Sequence, residues 1–187
     1  MEDTPLVKGD IISGQTCISN KNMIHELEQK GYGEIEKEKL FLKQFETLYL
    51  LYAKRLILKK GNKQIDFNSF MSLSQKTNPE ILTKFLIYRD LRNRGYVVKD
   101  GFGFGSDFRV YERGHFGEKG AKFLIFGLNE GQQEKMGNLQ KKIEEITQMG
   151  KEPIIAVIER RGEIIYYKIN IMNFNENKAR LEESFQL

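Results

Sequence analysis

Between Tyr88 and Arg113 the chain reads YRDLRNRGYVVKDGFGFGSDFRVYER, with cations, rings and glycines closely interleaved. Arg89, Arg92, Arg94, Lys99, Arg109 and Arg113 supply the positive charge. Such a mixture suits an RNA-facing surface, because guanidinium and ammonium groups meet phosphates while rings stack on unpaired bases. Affinity of that kind falls steeply with salt as counterions are released. The same residues also fit a solvated basic turn beside core aromatics, since stacking leaves no sequence signature of its own. His115 follows closely and is the only histidine in this half of the chain. Histidine is the side chain suited to proton transfer near neutral pH, and a histidine in a loop equally fits plain solvation. RNA can be cut without a metal, when its 2′-hydroxyl attacks the adjacent phosphorus. The protein must then supply a base, an acid and a cation beside the pentavalent phosphate.

Other chemistries lack their residues. There is no HExxH, no Walker loop, no GxSxG and no acid cluster with metal-ligand spacing. Gly101, Gly103 and Gly105 imitate a phosphate loop but lead toward a strand, so they lack the helix N-terminus that binds phosphate and read as a turn. Cys17 is the only cysteine, which excludes an internal disulfide and a cysteine-rich zinc cluster. The formal net charge is only +4. A nucleic-acid role therefore needs a local basic patch rather than a global one. No apolar run approaches the length of a membrane span, and the expectation is a cytoplasmic protein with no membrane partner.

The elements that must position these residues can be read from periodicity. With 187 residues, 40% hydrophobic and 30% charged, the chain is long enough for a buried core. Residues 6–19 read as short strands, 21–30 as a helix and 31–35 as a loop or short strand. A helix is expected over 36–55, with Leu40, Phe41, Phe45, Leu48, Leu51 and Tyr52 on one stripe. A strand at 56–60, the turn Gly61-Asn62 and a short helix near 67–75 follow. Asn78-Pro79 reads as a helix start, with Asn as cap and Pro at the first position, and Gly95 as the stop. Beyond it, 96–99, 107–111, 122–126, 154–159 and 163–171 read as strands. A helix at 132–149 interrupts them, with Met136, Leu139, Ile143 and Ile146 at helical spacing. The fold class is α+β: a mixed sheet packed on helices, with the chain dividing near residues 62–95.

The segment YRDLRNRGYVVK, followed by FGSDFRVYERG, resembles the signature of the archaeal tRNA-splicing endonucleases, the tRNA-intron endonucleases. The resemblance runs on through KFLIF at 122–126 and KEPIIAVIERRGEIIYYKI at 151–169, and more faintly through FETLYLLYAKRLIL at 45–58. It implies a small mixed α/β N-terminal domain over residues 1–76 and a nuclease-like C-terminal domain over 77–187. It implies metal-independent cleavage of precursor tRNA, with no cofactor, leaving a 2′,3′-cyclic phosphate and a 5′-hydroxyl. The expected substrate is a helix flanked by two short bulges.

In that family a tyrosine, a histidine and a lysine do the chemistry. By the motif, Tyr111 matches the tyrosine and Lys151 the lysine. The histidine position, immediately before the strand, falls on Gly120, so His115 could serve only through a shifted loop. Some archaeal enzymes of this family pair a catalytic chain with a structural one that has lost catalytic residues. The expectation is thus a subunit within a tetramer, formed with itself or with a second endonuclease subunit. A non-catalytic scaffold subunit of the same complex, and an RNA-binding module that lost cleavage, stand as alternatives. The segment 163–171 carries more apolar side chains than an edge strand safely exposes. The resemblance implies a last strand that pairs two subunits, with Ile165, Tyr167, Ile169 and Ile171, or their neighbours on the other face, buried against another chain. A strand covered within the chain's own sheet stands as the alternative. The segment 127–137 would match an acidic docking loop, with Glu130 and Glu134 as its acids.

Overall fold

A computed structural model describes residues 6–101, 105–129 and 136–170. The first half forms a six-stranded sheet, made of β1 (Val7–Ile12), β2 (Gln15–Ile18), β3 (Glu34–Glu36), β4 (Lys39–Leu42), β5 (Leu56–Lys60) and β6 (Lys63–Ile65). Its order is β3-β4-β2-β1-β5-β6, and every pairing is antiparallel except β1 with β5. Three helices accompany it: α1 (Lys21–Gln29), α2 (Gln44–Tyr52) and α3 (Phe67–Thr77). Asn20 caps α1 through the Asn22 and Met23 amides, and Asp66 caps α3 through the Ser69 amide at 2.7 Å.

The single helix expected over 36–55 is corrected here. Lys37 and Glu38 take left-handed φ values of 48° and 63° and close a tight hairpin between β3 and β4. Leu40 and Leu42 then alternate inward as strand residues. The helix starts only at Gln44, where the Glu46 carboxylate accepts the Lys43 amide (2.8 Å) and the Gly33 amide (3.0 Å). Leu40 fits a helix stripe with Phe41, Phe45 and Leu48, and equally a strand face with Leu42, so spacing alone leaves both open. Pairing with β2 decides it, because it supplies ladder bonds that a helix through residue 40 would forgo. Burial raises the Glu46 carboxyl above the usual carboxylate range, while Lys99, both amides and Arg92 pull the other way.

The second half begins with α4 (Ile81–Asn93). Asn78 starts the turn, accepting the Glu80 amide on its side chain and the Ile81 amide on its carbonyl, so Pro79 lies in the turn rather than in the helix. The helix stops at Gly95, whose φ of 84° is the left-handed conformation that closes helices. Five strands follow: β7 (Val97–Asp100), β8 (Phe108–Tyr111), β9 (Phe123–Asn129), β10 (Glu152–Ile158) and β11 (Ile164–Lys168), with α5 (Met136–Gln148) between β9 and β10. The sheet order is β11-β10-β9-β8-β7; only β9 and β10 run parallel, and α5 makes their crossover.

The chain is a mixed α/β protein with two mixed sheets and five helices among the described residues. One continuous core joins the halves, running from Val7 and Leu48 to Phe108 and Ile158. Phe45 of α2 meets Tyr88 of α4 at 4.9 Å and Phe108 of β8 at 5.1 Å, the latter edge to face. The opposite face of the second sheet carries Leu124, Phe126 and Ile155 against Ile146 of α5.

Candidate active site

Strand register gathers three matched positions at one end of the second sheet. Tyr111 ends β8. The Lys122 amide donates to the Val110 carbonyl at 2.9 Å, and the Glu152 amide donates to the Lys122 carbonyl at 2.9 Å. The last residue of β8 and the approaches to β9 and β10 therefore lie side by side. Neighbouring strands stand about 4.8 Å apart, so the backbones at Tyr111 and Lys151 are separated by roughly 10 Å, two strand spacings.

Lys151 is set by the end of α5. Gly150 turns the chain at φ 69°, and the Lys151 amide returns to the Ile146 carbonyl at 3.1 Å. Its ammonium donates to the Ala121 carbonyl at 2.6 Å. That carbonyl follows Gly120, where an added Cβ would lie 4.0 Å from Lys151 Nζ and meet nothing nearer. Gly120 thus faces the lysine across open space that a longer side chain can enter.

Tyr111 is half-exposed, and its ring meets Phe116 edge to face at 5.0 Å. By the pleat it shares a face with Arg109 and with Leu124, which pairs with Arg109. The loop 112–120 folds back on Tyr111 through Phe116. His115 sits in the turn: its amide donates to the Glu112 carbonyl, its carbonyl accepts the Glu118 and Lys119 amides, and Nδ1 stands 3.8 Å from the Glu118 carboxylate. Glu112, next to Tyr111, accepts the Lys122 ammonium, which holds its carboxyl below the usual range and raises Lys122 in turn. Phe116, Glu112 and Lys122 were not singled out from the sequence. Their spacing is ordinary for a charged loop, and only the turn brings them beside Tyr111.

The six basic residues do not form one surface. Arg92 is 1% exposed, so its place on an RNA-facing surface is corrected. Its guanidinium lies 4.1 Å over the Tyr32 ring and donates to the Lys30 carbonyl at 3.0 Å. Lys99 donates its ammonium to the Gly33 carbonyl beside buried Glu46, and burial lowers its pKa. Both cations tie the 31–33 loop of the first half to the second half rather than facing solvent. Gly31 completes that seam: its φ is 77°, and a Cβ there would sit 2.3 Å from Val97 Cγ1.

Arg109 is partly buried in β8. Arg89 lies on α4 over the rings of Tyr52 (5.4 Å) and Phe85 (5.7 Å). Arg94 is paired with Asp90 at 2.7 Å, which raises its pKa. Arg113 is exposed and lies 4.8 Å over Tyr96.

At the far edge of the sheet, β11 presents Ile165 and Tyr167 to solvent at 36% and 52% exposure, while Ile169 is half-buried. Tyr166, on the opposite side of the strand, donates to Asp90 at 2.8 Å and anchors β11 to α4. Burial, and then that bond, push its phenol well above the ordinary range. Ile171, Glu130 and Glu134 lie outside the described residues. The 127–137 segment is not wholly a loop, since Gly127–Asn129 belong to β9 and α5 starts at Met136. Gly127 donates to the Asp107 carboxylate at 2.8 Å. Among the described residues no group of His, Cys, Asp or Glu could hold a metal ion, and no helix is long and apolar enough to cross a membrane.

Comparison with known proteins gives this geometry a context. Residues 81–166 match the tRNA intron endonuclease catalytic C-terminal domain, and residues 7–71 match the tRNA intron endonuclease N-terminal domain. The tRNA-splicing endonuclease of Pyrococcus furiosus is 31% identical over 145 residues, covering 78% of this chain and 84% of that protein. That of Methanococcus vannielii is 31% identical over 156 residues, covering 83% and 88% respectively. That of Thermococcus onnurineus is 31% identical over 165 residues, covering 87% and 95%. With both domains matched in order and relatives aligned over most of their length, the chain belongs to the tRNA intron endonuclease family.

Proposed function

We propose that this chain is a partner-dependent subunit of a tRNA-splicing endonuclease that cuts intron-containing precursor tRNA at bulges flanking a short helix. The observation that supports the reading is the strand register that sets Tyr111 and Lys151 at one sheet end, with open space at Gly120 beside Lys151. Tyr111 takes the proton of the 2′-hydroxyl as its oxygen attacks phosphorus. Lys151 balances the charge that builds on the phosphate oxygens. The P–O5′ bond breaks, giving a 2′,3′-cyclic phosphate and a 5′-oxygen that must be protonated. No metal enters this step. With glycine at position 120, this chain lacks an acid there, and a second chain completes the enzyme in the cytoplasm.

Gly120 also favours a second reading, in which this chain is the non-catalytic scaffold of the complex. The deciding assay uses the purified full chain, alone and with a candidate partner subunit, on a bulged RNA. Cleavage only with the partner, lost on Lys151→Ala, is the expected result. Cleavage by the chain alone that disappears on His115→Ala would instead give His115 the acid's role. Activity with the partner that survives both Tyr111→Phe and Lys151→Ala would make this chain the scaffold.

Assembly should use the exposed edge of β11. An edge strand presenting unpaired backbone with Ile165 and Tyr167 is a ready site for pairing with another chain. Placing a charge there through Tyr167→Glu should shift the protein at micromolar concentration toward monomer in sedimentation, with its circular dichroism unchanged. A wild-type protein that already sediments as a monomer, with and without the partner, would remove this role for the strand.

A further inference from the structure

We propose that the first half of the chain braces Tyr111 through Phe116, so that Gly31 and Phe116 are positioning residues for the reaction. Their part in catalysis rests on the reading of Tyr111 as the base of an RNA endonuclease. Among the described residues no hydrogen bond or ion pair holds the Tyr111 hydroxyl, so packing of the ring has to aim it. Phe116 supplies that packing, edge to face at 5.0 Å. Val97 stands directly across from Tyr111 in the pairing of β7 with β8 and shares its face of the sheet. Gly31 of the first half touches both neighbours. A Cβ built on it would lie 2.3 Å from Val97 Cγ1 and 3.3 Å from Phe116 Cε1 and Cζ. The 30–33 loop therefore reaches over β7, the edge strand of the second sheet, and closes on the surroundings of Tyr111.

That loop is fixed on both sides. The Gly31 amide donates to the Glu28 carbonyl and the Tyr32 amide to the Leu27 carbonyl, each at 2.8 Å, which ties the loop to the end of α1. Arg92 donates to the Lys30 carbonyl at 3.0 Å, Lys99 donates to the Gly33 carbonyl, and the Gly33 amide donates to Glu46 at 3.0 Å. The 112–120 turn gives Phe116 less support. Phe116 lies between Gly114 and Gly117, both at left-handed φ (77° and 88°), where the backbone restrains direction least. Packing against Gly31 therefore decides where the Phe116 ring stands, and that ring decides where the phenol points. A base must sit within hydrogen-bond reach of the proton it takes. A displacement of about 1 Å passed along these contacts lowers the rate of the chemical step without touching RNA affinity.

The test uses the full chain, with its partner subunit where one is required. With the tyrosine rings labelled with carbon-13, the Tyr111 resonance is the one absent from Tyr111→Phe. It should move in Phe116→Ala and stay close to its place in Phe116→Tyr, which retains a ring. Gly31→Ala should move it too, because the added Cβ displaces Val97 or Phe116. Val97→Ala loosens the same contact without strain and covers the case in which Gly31→Ala prevents folding. On a bulged RNA at saturating protein, single-turnover cleavage should fall about tenfold in Phe116→Ala, with RNA affinity unchanged, and recover in Phe116→Tyr. On the residual rate of Tyr111→Phe, adding Phe116→Ala should cost nothing more, because it acts through the phenol. An equal loss in both backgrounds would make Phe116 an ordinary packing residue and overturn the proposal. A Tyr111 resonance unmoved by Gly31→Ala and by Val97→Ala would remove the first half from the brace. If Tyr111→Phe cleaves as fast as the wild type, the reading of Tyr111 as the base fails instead, while the resonance shifts still decide whether the brace exists.

Discussion

Gly120→His should raise the single-turnover cleavage rate of a bulged RNA by about 10²–10⁴-fold, the usual worth of a positioned general acid. The departing 5′-oxygen is a poor leaving group unless it is protonated as the P–O bond breaks. At position 120 nothing can donate that proton. The site nonetheless keeps room for a donor, since a Cβ there meets only Lys151 Nζ, at 4.0 Å. Backbone strain does not oppose the change, because Gly120 is not among the residues with positive φ. The imidazole would enter beside the ammonium that donates to the Ala121 carbonyl. Adding Tyr111→Phe or Lys151→Ala to the histidine variant should remove the gain and take the rate below the wild-type level, since both groups act whatever stands at position 120. If Gly120→His leaves the rate unchanged while His115→Ala abolishes cleavage, the acid is His115. If neither substitution alters cleavage by the assembled complex, the chemistry belongs wholly to the partner chain.

Phe108→Ala should cost about 3–5 kcal/mol of folding free energy, the range for deleting a buried aromatic ring. Phe108 is 0% exposed and lies where the two halves of the chain meet. Its ring stands 5.1 Å from Phe45 of the first half, edge to face, and 6.1 Å from Tyr88 of α4. The alanine variant loses ring burial and opens a cavity bordered by α2 and α4, held apart by their own packing, so neither closes it alone. Urea unfolding measures this, with the midpoint falling and the slope unchanged. Because one core runs through both halves, a single transition should move as a whole. Two transitions, only one of them displaced, would mean that the halves unfold independently and that the Phe45 contact couples them weakly. Phe108→Leu, which retains much of the apolar volume, should cost substantially less.

Much of the strand and helix order is legible in the sequence alone. The stop at Gly95, the paired strands on either side of Gly101, and the strand pair around Arg160–Gly162 all rest on local chemistry. A glycine with positive φ ends a helix, alternation makes a strand, and no distant contact is needed to say so. The family signature likewise lies in contiguous residues, which is why it was visible in YRDLRNRGYVVK and FRVYERG.

Where local signals were degenerate, tertiary contacts decided. Leu40 suits a helix stripe with Phe45 and Leu48 and a strand face with Leu42 alike, and the pairing of β4 with β2 settled the choice. The first turn of α2 is fixed by the Gly33 amide bonding to Glu46, thirteen residues away in sequence. Arg92 and Lys99 look like their basic neighbours in one dimension. The helical phase of Arg92 turns it onto Tyr32 and the Lys30 carbonyl, and the strand phase of Lys99 aims it at the Gly33 carbonyl. Neither direction is readable without the surface each element packs on.

The sequence by itself determined the family, the α+β class, and the absence of a histidine immediately before β9. Only the tertiary structure decided that Gly120 faces Lys151, that Phe116 rather than His115 packs on Tyr111, and that Arg113 lies over Tyr96. The reason is physical. Residue type and spacing govern what a segment can form, whereas strand register and the closing of a turn govern which distant atoms meet.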